Sequence, residues 1–143
     1  MLYYFKNEKI LGIVMEYCDN NLKQILKSRK IGFNIKEIYE IMYELNETFK
    51  IMKKNNIVHR DIKLDNILIK YDNNNNILNF ICKLSDYGIS KRLNDFTICR
   101  TYAGTLTTMA PEILKAEEEK KEYSDKCDLW SIGVILKGLH IMV

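Results

Sequence analysis

Residues 59–66 read His-Arg-Asp-Ile-Lys-Leu-Asp-Asn, and Asp86-Tyr87-Gly88 follows twenty residues after Asn66. The first segment puts an acid, a cation and an amide on one short stretch. Moving a phosphoryl group off a nucleotide calls for such a set. An acid must orient the attacking hydroxyl and accept its proton, and a cation must offset charge on the moving group. Oxygen ligands must hold magnesium between the phosphates. Asp61, Lys63, Asn66 and Asp86 supply these types. They serve together only if the chain brings Asp86 back to the first segment. Between them, Ile67-Leu68-Ile69 and Phe80-Ile81-Cys82-Lys83-Leu84 read as a β-hairpin, with Asn73-Asn74-Asn75-Asn76 as its solvated turn.

The rest of the chain reads as mixed helix and strand. Ile38, Ile41, Met42, Leu45, Phe49 and Met52 recur at helical spacing, so a helix is expected over 35–54. Asn34 and Glu37 form a capping box at its start, and Asn55-Asn56 ends it. A short helix is expected over 22–28 after Asn21, and a buried strand over 10–15. The acidic and basic run at 116–122 reads as a solvated loop or helix end. Ser124 is expected to cap a last helix from Asp125 to about Leu139. Trp130, Ile132, Val134 and Ile135 give that helix apolar surface on several sides, which calls for burial.

Composition sets the outer limits. Hydrophobic residues are 47% and charged residues 29%, as in soluble globular proteins. A net charge of +3 is too mild to argue for a nucleic-acid or membrane partner. No apolar run reaches the roughly 18 residues of a membrane span. The amino-terminal residues lack a secretory signal pattern, so an intracellular, cytoplasmic protein is expected. Cys18, Cys82, Cys99 and Cys127 form no C-x-x-C pair, so reduced thiols are expected rather than a zinc or redox site.

Ala110-Pro111-Glu112 adds a third motif in order. The set H-R-D-I-K-L-D-N, D-Y-G and A-P-E resembles the signature set of the protein kinases. The resemblance implies an α+β, protein-kinase-like fold: a mainly helical C-lobe with short β-hairpins, the N-lobe mostly absent. Residues 1–18 would be the end of the N-lobe and the hinge, and 19–143 a truncated C-lobe. It implies ATP and Mg2+ as cofactors and a protein substrate bearing Ser or Thr. Asp61 would be the catalytic base, Lys63 the cation on the phosphoryl group, and Asn66 and Asp86 the magnesium ligands. Lys63 and Thr105 resemble the Ser/Thr class, in which the Thr105 hydroxyl ties Asp61 to Lys63. Met15 would be the gatekeeper behind the adenine pocket. The backbone of Glu16 and Cys18 would bind adenine, their side chains adding little, and Leu68 would pack beneath the ring. Arg60 would pair with a phosphate on the activation segment, with Thr101 the expected phosphosite and Thr97 second. Asp128 would hold the catalytic loop by its backbone, His59 and Tyr87 would stack, and Glu112 would pair with an arginine further downstream.

The resemblance covers nearly all of this chain but only the middle part of a kinase domain. No G-x-G-x-x-G loop and no V-A-I-K lysine stands in the 143 residues. Leu64, Asp65 and Tyr87 stand where the family more often has Pro, Glu and Phe; none removes a reacting group. Those absences lead to the expectation that the isolated chain is poorly soluble and nearly inactive. The alternative reading is a catalytically inactive remnant or pseudokinase-like interaction protein.

Overall fold

The computed structural model describes residues 3–7, 9–71, 80–92, 104–114 and 124–140. Its long helix is the one the periodicity predicts. Call the short helix over Leu22–Ser28 α1 and the long one over Ile35–Lys54 α2. The Asn34 side chain accepts the Glu37 amide while Glu37 accepts the Asn34 amide, so both halves of the capping box are present. Asn21 and Gln24 make a second such box on α1, which the sequence reading did not include. Each box satisfies amides that would otherwise lack a partner in the first turn.

α2 turns Ile41, Leu45 and Met52 into the core, with Ile38 and Phe49 partly buried beside them. They pack with strands β5 (Ile67–Tyr71) and β6 (Phe80–Leu84), an antiparallel hairpin pairing Ile67 with Leu84 and Tyr71 with Phe80. Alternation sends Ile67, Ile69, Cys82 and Leu84 inward, while Leu68, Lys70, Ile81 and Lys83 face away from the core. Each large aliphatic buried this way contributes about 1.5–3 kcal/mol. The short strand β3 (Asn20–Asn21) adds to the edge of β5. The Asn tract of the turn lies outside the described residues.

The last helix, α3, spans Lys126–His140. The Ser124 hydroxyl accepts the Lys126 amide at 3.3 Å. Burial corrects the sequence reading here. α3 buries one side, through Cys127, Asp128, Ser131, Ile135 and Leu139, while Trp130 is 49% exposed and Leu129 also faces out. The described elements pack on that one side only, so apolar residues on the others remain in solvent. The run at 116–122 lies outside the described residues.

A second correction concerns residues 10–15. They do form a strand, β2 (Leu11–Val14), antiparallel to β1 (Tyr3–Lys6), which the sequence reading had not picked out. It is not buried: Leu11, Ile13 and Val14 are exposed, as are Tyr3, Tyr4 and Phe5 opposite them. A two-stranded ribbon without a covering layer has no dry face.

A smaller cluster of Val58, Met109, Ala110, Ile113 and Cys127 joins strand β4 (Ile57–Val58) to the helical turn over 111–114 and the start of α3. β4 pairs with β7 (Lys91–Arg92). These contacts clamp residues 59–66 between two packed units.

Candidate active site

The segment 59–66 leaves β4, bends, and enters a 3-10 turn over Leu64–Asn66 that leads into β5. Arg60 holds φ at +71°, a left-handed conformation that a non-glycine residue keeps only under outside restraint. The restraint is Asp128. Its two carboxylate oxygens accept the amides of His59 and Arg60 at 2.8 and 2.9 Å. Burial pushes the Asp128 carboxyl above its ordinary value, and those two amides act against the shift.

Asp61 sits at the centre and is buried. Its Oδ1 accepts the Thr105 hydroxyl at 2.6 Å, its Oδ2 meets Lys63 Nζ at 2.7 Å, and Asn66 Nδ2 donates to Oδ2 at 3.1 Å. Lys63 also donates to Thr105 Oγ1 at 2.9 Å, closing a ring of acid, hydroxyl and ammonium. Burial drives the Asp61 carboxyl upward, but the donors Lys63, Thr105 and Asn66 outweigh it and hold the net value below the ordinary range. Asp61 is therefore a carboxylate at neutral pH.

Asp86 is exposed at the end of β6, with φ at +62°. It is brought near Asn66 by its neighbour, since the Ser85 amide and hydroxyl donate to the Asn66 carbonyl at 2.9 and 3.1 Å. Ser85 thus ties the two polar segments together. Nothing in its own sequence signalled that role, because the bond runs between backbone groups and a small hydroxyl. Ser131 does similar work, donating from α3 to the Thr108 carbonyl at 2.8 Å. Among the described residues no group of three or more His, Cys, Asp and Glu side chains could hold a metal by itself.

His59 is fully buried. Its Nδ1 accepts the Asp61 amide at 3.3 Å and its Nε2 faces the Ser85 carbonyl at 3.0 Å. A carbonyl only accepts, so Nε2 carries the hydrogen and the ring is neutral. Burial pushes its pKa below the ordinary imidazole value, against the Ser85 bond and the carboxylates of Asp128 and Asp61. The unfolded chain takes up this proton near pH 6.5, while the folded chain resists it until lower pH. The His59 contribution is thus complete above the unfolded value and is lost as pH falls. Urea unfolding across pH 7.5 to 5.5 should show stability falling by up to about 1.4 kcal/mol per unit, and His59→Leu should flatten that slope. An unchanged slope in the variant would exclude His59 as its source.

Tyr87 lies against His59 with ring centroids 4.7 Å apart, but the planes meet at 59°, so the pair is tilted rather than stacked as expected. An edge-to-face lean suits rings with negative faces and positive edges. The Tyr87 hydroxyl reaches Met52 Sδ at 4.0 Å.

Other expected positions are more dispersed. Met15 is 66% exposed, one residue past the end of β2. Leu68 is half-buried on the outward face of β5. Glu16 uses its side chain far more than expected, pairing with Lys70 at 2.7 Å and Lys83 at 2.6 Å. Cys18 is half-buried, and burial pushes its thiol up. Burial also pushes the Cys82 thiol up to about 12, so neither is an activated nucleophile. Arg60 donates through Nε to the Ile89 carbonyl at 2.6 Å. Glu112 is half-buried in the turn over 111–114. Thr97, Cys99 and Thr101 lie outside the described residues. No helix among the described residues is long and apolar enough to cross a membrane.

Comparison with known proteins agrees with this geometry. A family model described as the protein kinase domain matches residues 1–141. Serine/threonine-protein kinase 33 of Bos taurus is 38% identical over 137 residues, covering 92% of this chain and 27% of that protein. Serine/threonine-protein kinase cst-1 of Caenorhabditis briggsae is 35% identical over 133 residues, covering 92% of this chain and 24% of that protein. Serine/threonine-protein kinase pakG of Dictyostelium discoideum is 36% identical over 127 residues, covering 87% and 10% respectively. The chain therefore spans about a quarter or less of the length of these relatives.

Proposed function

This chain belongs to the protein kinase family, and from that premise we propose that its site transfers the γ-phosphoryl group of ATP to serine and threonine hydroxyls of proteins. The ring of Asp61, Thr105 and Lys63 carries the reading, because it sets an anionic acceptor and a cation side by side at hydrogen-bond distance. Asp61 accepts the hydroxyl of the incoming Ser or Thr and aims its oxygen at the phosphorus. Its carboxyl lies below the ordinary range, so it is a weak base. Orientation is then its main contribution, which suits a loose transition state. Lys63 turns from Asp61 toward the phosphoryl group as negative charge collects there. Thr105 keeps acid and ammonium in register.

Magnesium fits the remaining donors. Asn66 spends its Nδ2 on the Asp61 carbonyl and carboxylate, which leaves Oδ1 as the ligand atom its side chain offers. Asp86, next to the Ser85 that bonds Asn66, would add a carboxylate. One amide and one carboxylate suffice, since magnesium completes its shell with phosphate oxygens and water. Bound there, the ion would neutralise charge on the phosphates. The backbone of Glu16 and Cys18 would hold adenine, with Met15 as gatekeeper and Leu68 beneath the ring. Arg60 would pair with a phosphate on Thr101 in the segment leading to Thr105, and Glu112 would pair with an arginine further downstream. The relatives' names support Ser/Thr selectivity.

The test is transfer of labelled phosphate from ATP to a mixture of proteins, followed by phosphoamino-acid analysis. Label is expected on Ser and Thr and should vanish when magnesium is chelated. Label on Tyr would overturn the specificity. Nucleotide binding with no transfer would favour a non-catalytic member of the family.

A further inference from the structure

Residues 15–18 connect the exposed β1–β2 ribbon to the packed part of the chain. Their downstream end is well held. The Asp19 amide donates to the Ile69 carbonyl at 3.0 Å, the Tyr71 amide donates to the Asp19 carboxylate at 2.9 Å, and Asn20 and Asn21 pair with β5. Upstream, Met15 is 66% exposed and Tyr17 is 77% exposed, so packing holds neither. The described anchor of this stretch is Glu16. Its two oxygens go separately to Lys70 on β5 and Lys83 on β6. Strand alternation places both lysines on the outward face of the hairpin beside Leu68, whose cross-strand partner is Lys83. One carboxylate therefore spans two strands of a rigid hairpin and ties the connecting segment to it. The hydrogen bonds from Lys70 and then Lys83 hold the Glu16 carboxyl down at about 2, so the bridge stays intact across the physiological range.

We propose that Glu16 is a positioning residue that pins the 15–18 backbone against the outer face of the β5–β6 hairpin and thereby sets adenine-nucleotide affinity. This rests on the reading that the same backbone holds adenine. A mobile strand of backbone must be ordered at the moment of binding, and that ordering subtracts from affinity. A pre-pinned strand avoids the loss. The ion pairs are partly exposed, with 38% of the Glu16 side chain in solvent, so their effect is modest and screened by salt.

The experiment compares the wild-type chain with Glu16→Gln and with the double variant Lys70→Met, Lys83→Met. Two probes are used: ADP with magnesium, and uncharged adenosine. Both variants should weaken both probes by the same factor, roughly three- to tenfold, as expected for losing two partly exposed ion pairs. Adding Glu16→Gln to the lysine variant should cost nothing further. Adenosine affinity of the wild type should fall toward that of Glu16→Gln at about 1 M salt. Amide exchange at 15–18 should quicken in the variants while α2 stays unchanged. Equal affinity in wild type and Glu16→Gln, or unchanged exchange at 15–18, would overturn the pinning role alone. A wild-type chain that binds neither probe would overturn the adenine reading beneath it.

Discussion

On the proposed function, Asp61→Asn is expected to lower phosphoryl transfer to protein hydroxyls by about a hundred- to ten-thousandfold, relative to whatever rate the wild-type chain sustains, while leaving the fold in place. The replacement keeps the size of the side chain but removes its charge and turns one acceptor oxygen into a donor. In the native ring Oδ1 takes the Thr105 hydroxyl, and Oδ2 takes Lys63 and Asn66. An asparagine can keep the contacts but not the charge. With its oxygen toward Lys63 and Asn66, its Nδ2 can donate to Thr105 Oγ1, whose own hydrogen then turns elsewhere. In the flipped orientation its amide would meet two donors, so the first is preferred. The group that should orient the substrate hydroxyl is then neutral, and the oxygen that accepted from Thr105 has become a donor. Labelled-phosphate transfer measures the loss, while thermal melting and nucleotide binding show that the fold and the rest of the site persist. A variant retaining more than about a tenth of wild-type transfer would remove Asp61 from the proposed chemistry.

Gly104→Ala should destabilise the chain by about 3 kcal/mol. Gly104 is exposed, so ordinary reasoning from burial would rate the change as harmless. Its backbone says otherwise. Its φ is +127°, outside the regions an L-residue adopts without strain. A Cβ there would also lie 2.4 Å from the Arg60 carbonyl oxygen. That oxygen belongs to a residue already held at φ +71° by Asp128, so it has little room to give way. Relief must come from Gly104 itself, and Thr105 moves with it. The same change should therefore lengthen the Thr105–Asp61 bond and reduce transfer along with stability. Urea unfolding at neutral pH provides the measurement. A loss under about 0.5 kcal/mol, the range of an ordinary surface substitution, would show that the loop relaxes freely.

Much of the fold was legible along the chain. α2 carries its boundaries in the spacing of Ile38, Ile41, Leu45, Phe49 and Met52 and in the Asn34–Glu37 box. The β5–β6 hairpin was legible from two apolar runs around the Asn tract. Burial was less so. The run at 10–15 is as apolar as a core strand, yet β2 is exposed, because apolar residues are buried only where another layer meets them. α3 is similar, with Trp130 and Leu129 left in solvent. That Asp61, Lys63 and Asn66 meet at one place could be anticipated from residue types in order, and the side chains do meet. The tie made by Ser85, the strain at Gly104 and the bridge at Glu16 were not legible, since each depends on an approach between distant segments.

Residue order by itself determined the helices, their caps, the hairpin and the inventory of candidate reacting groups. Each of these is decided by neighbours within a few positions, through periodicity and local hydrogen bonds. That Thr105 closes on Asp61 across 44 residues and that Asp128 holds His59 across 69 could be expected from the family resemblance, but no local pattern fixes them, and only the tertiary structure decided the contacts themselves. Such closures depend on which surfaces dock in the β4, 109–114 and α3 cluster, and packing is a property of the assembled elements rather than of any one stretch.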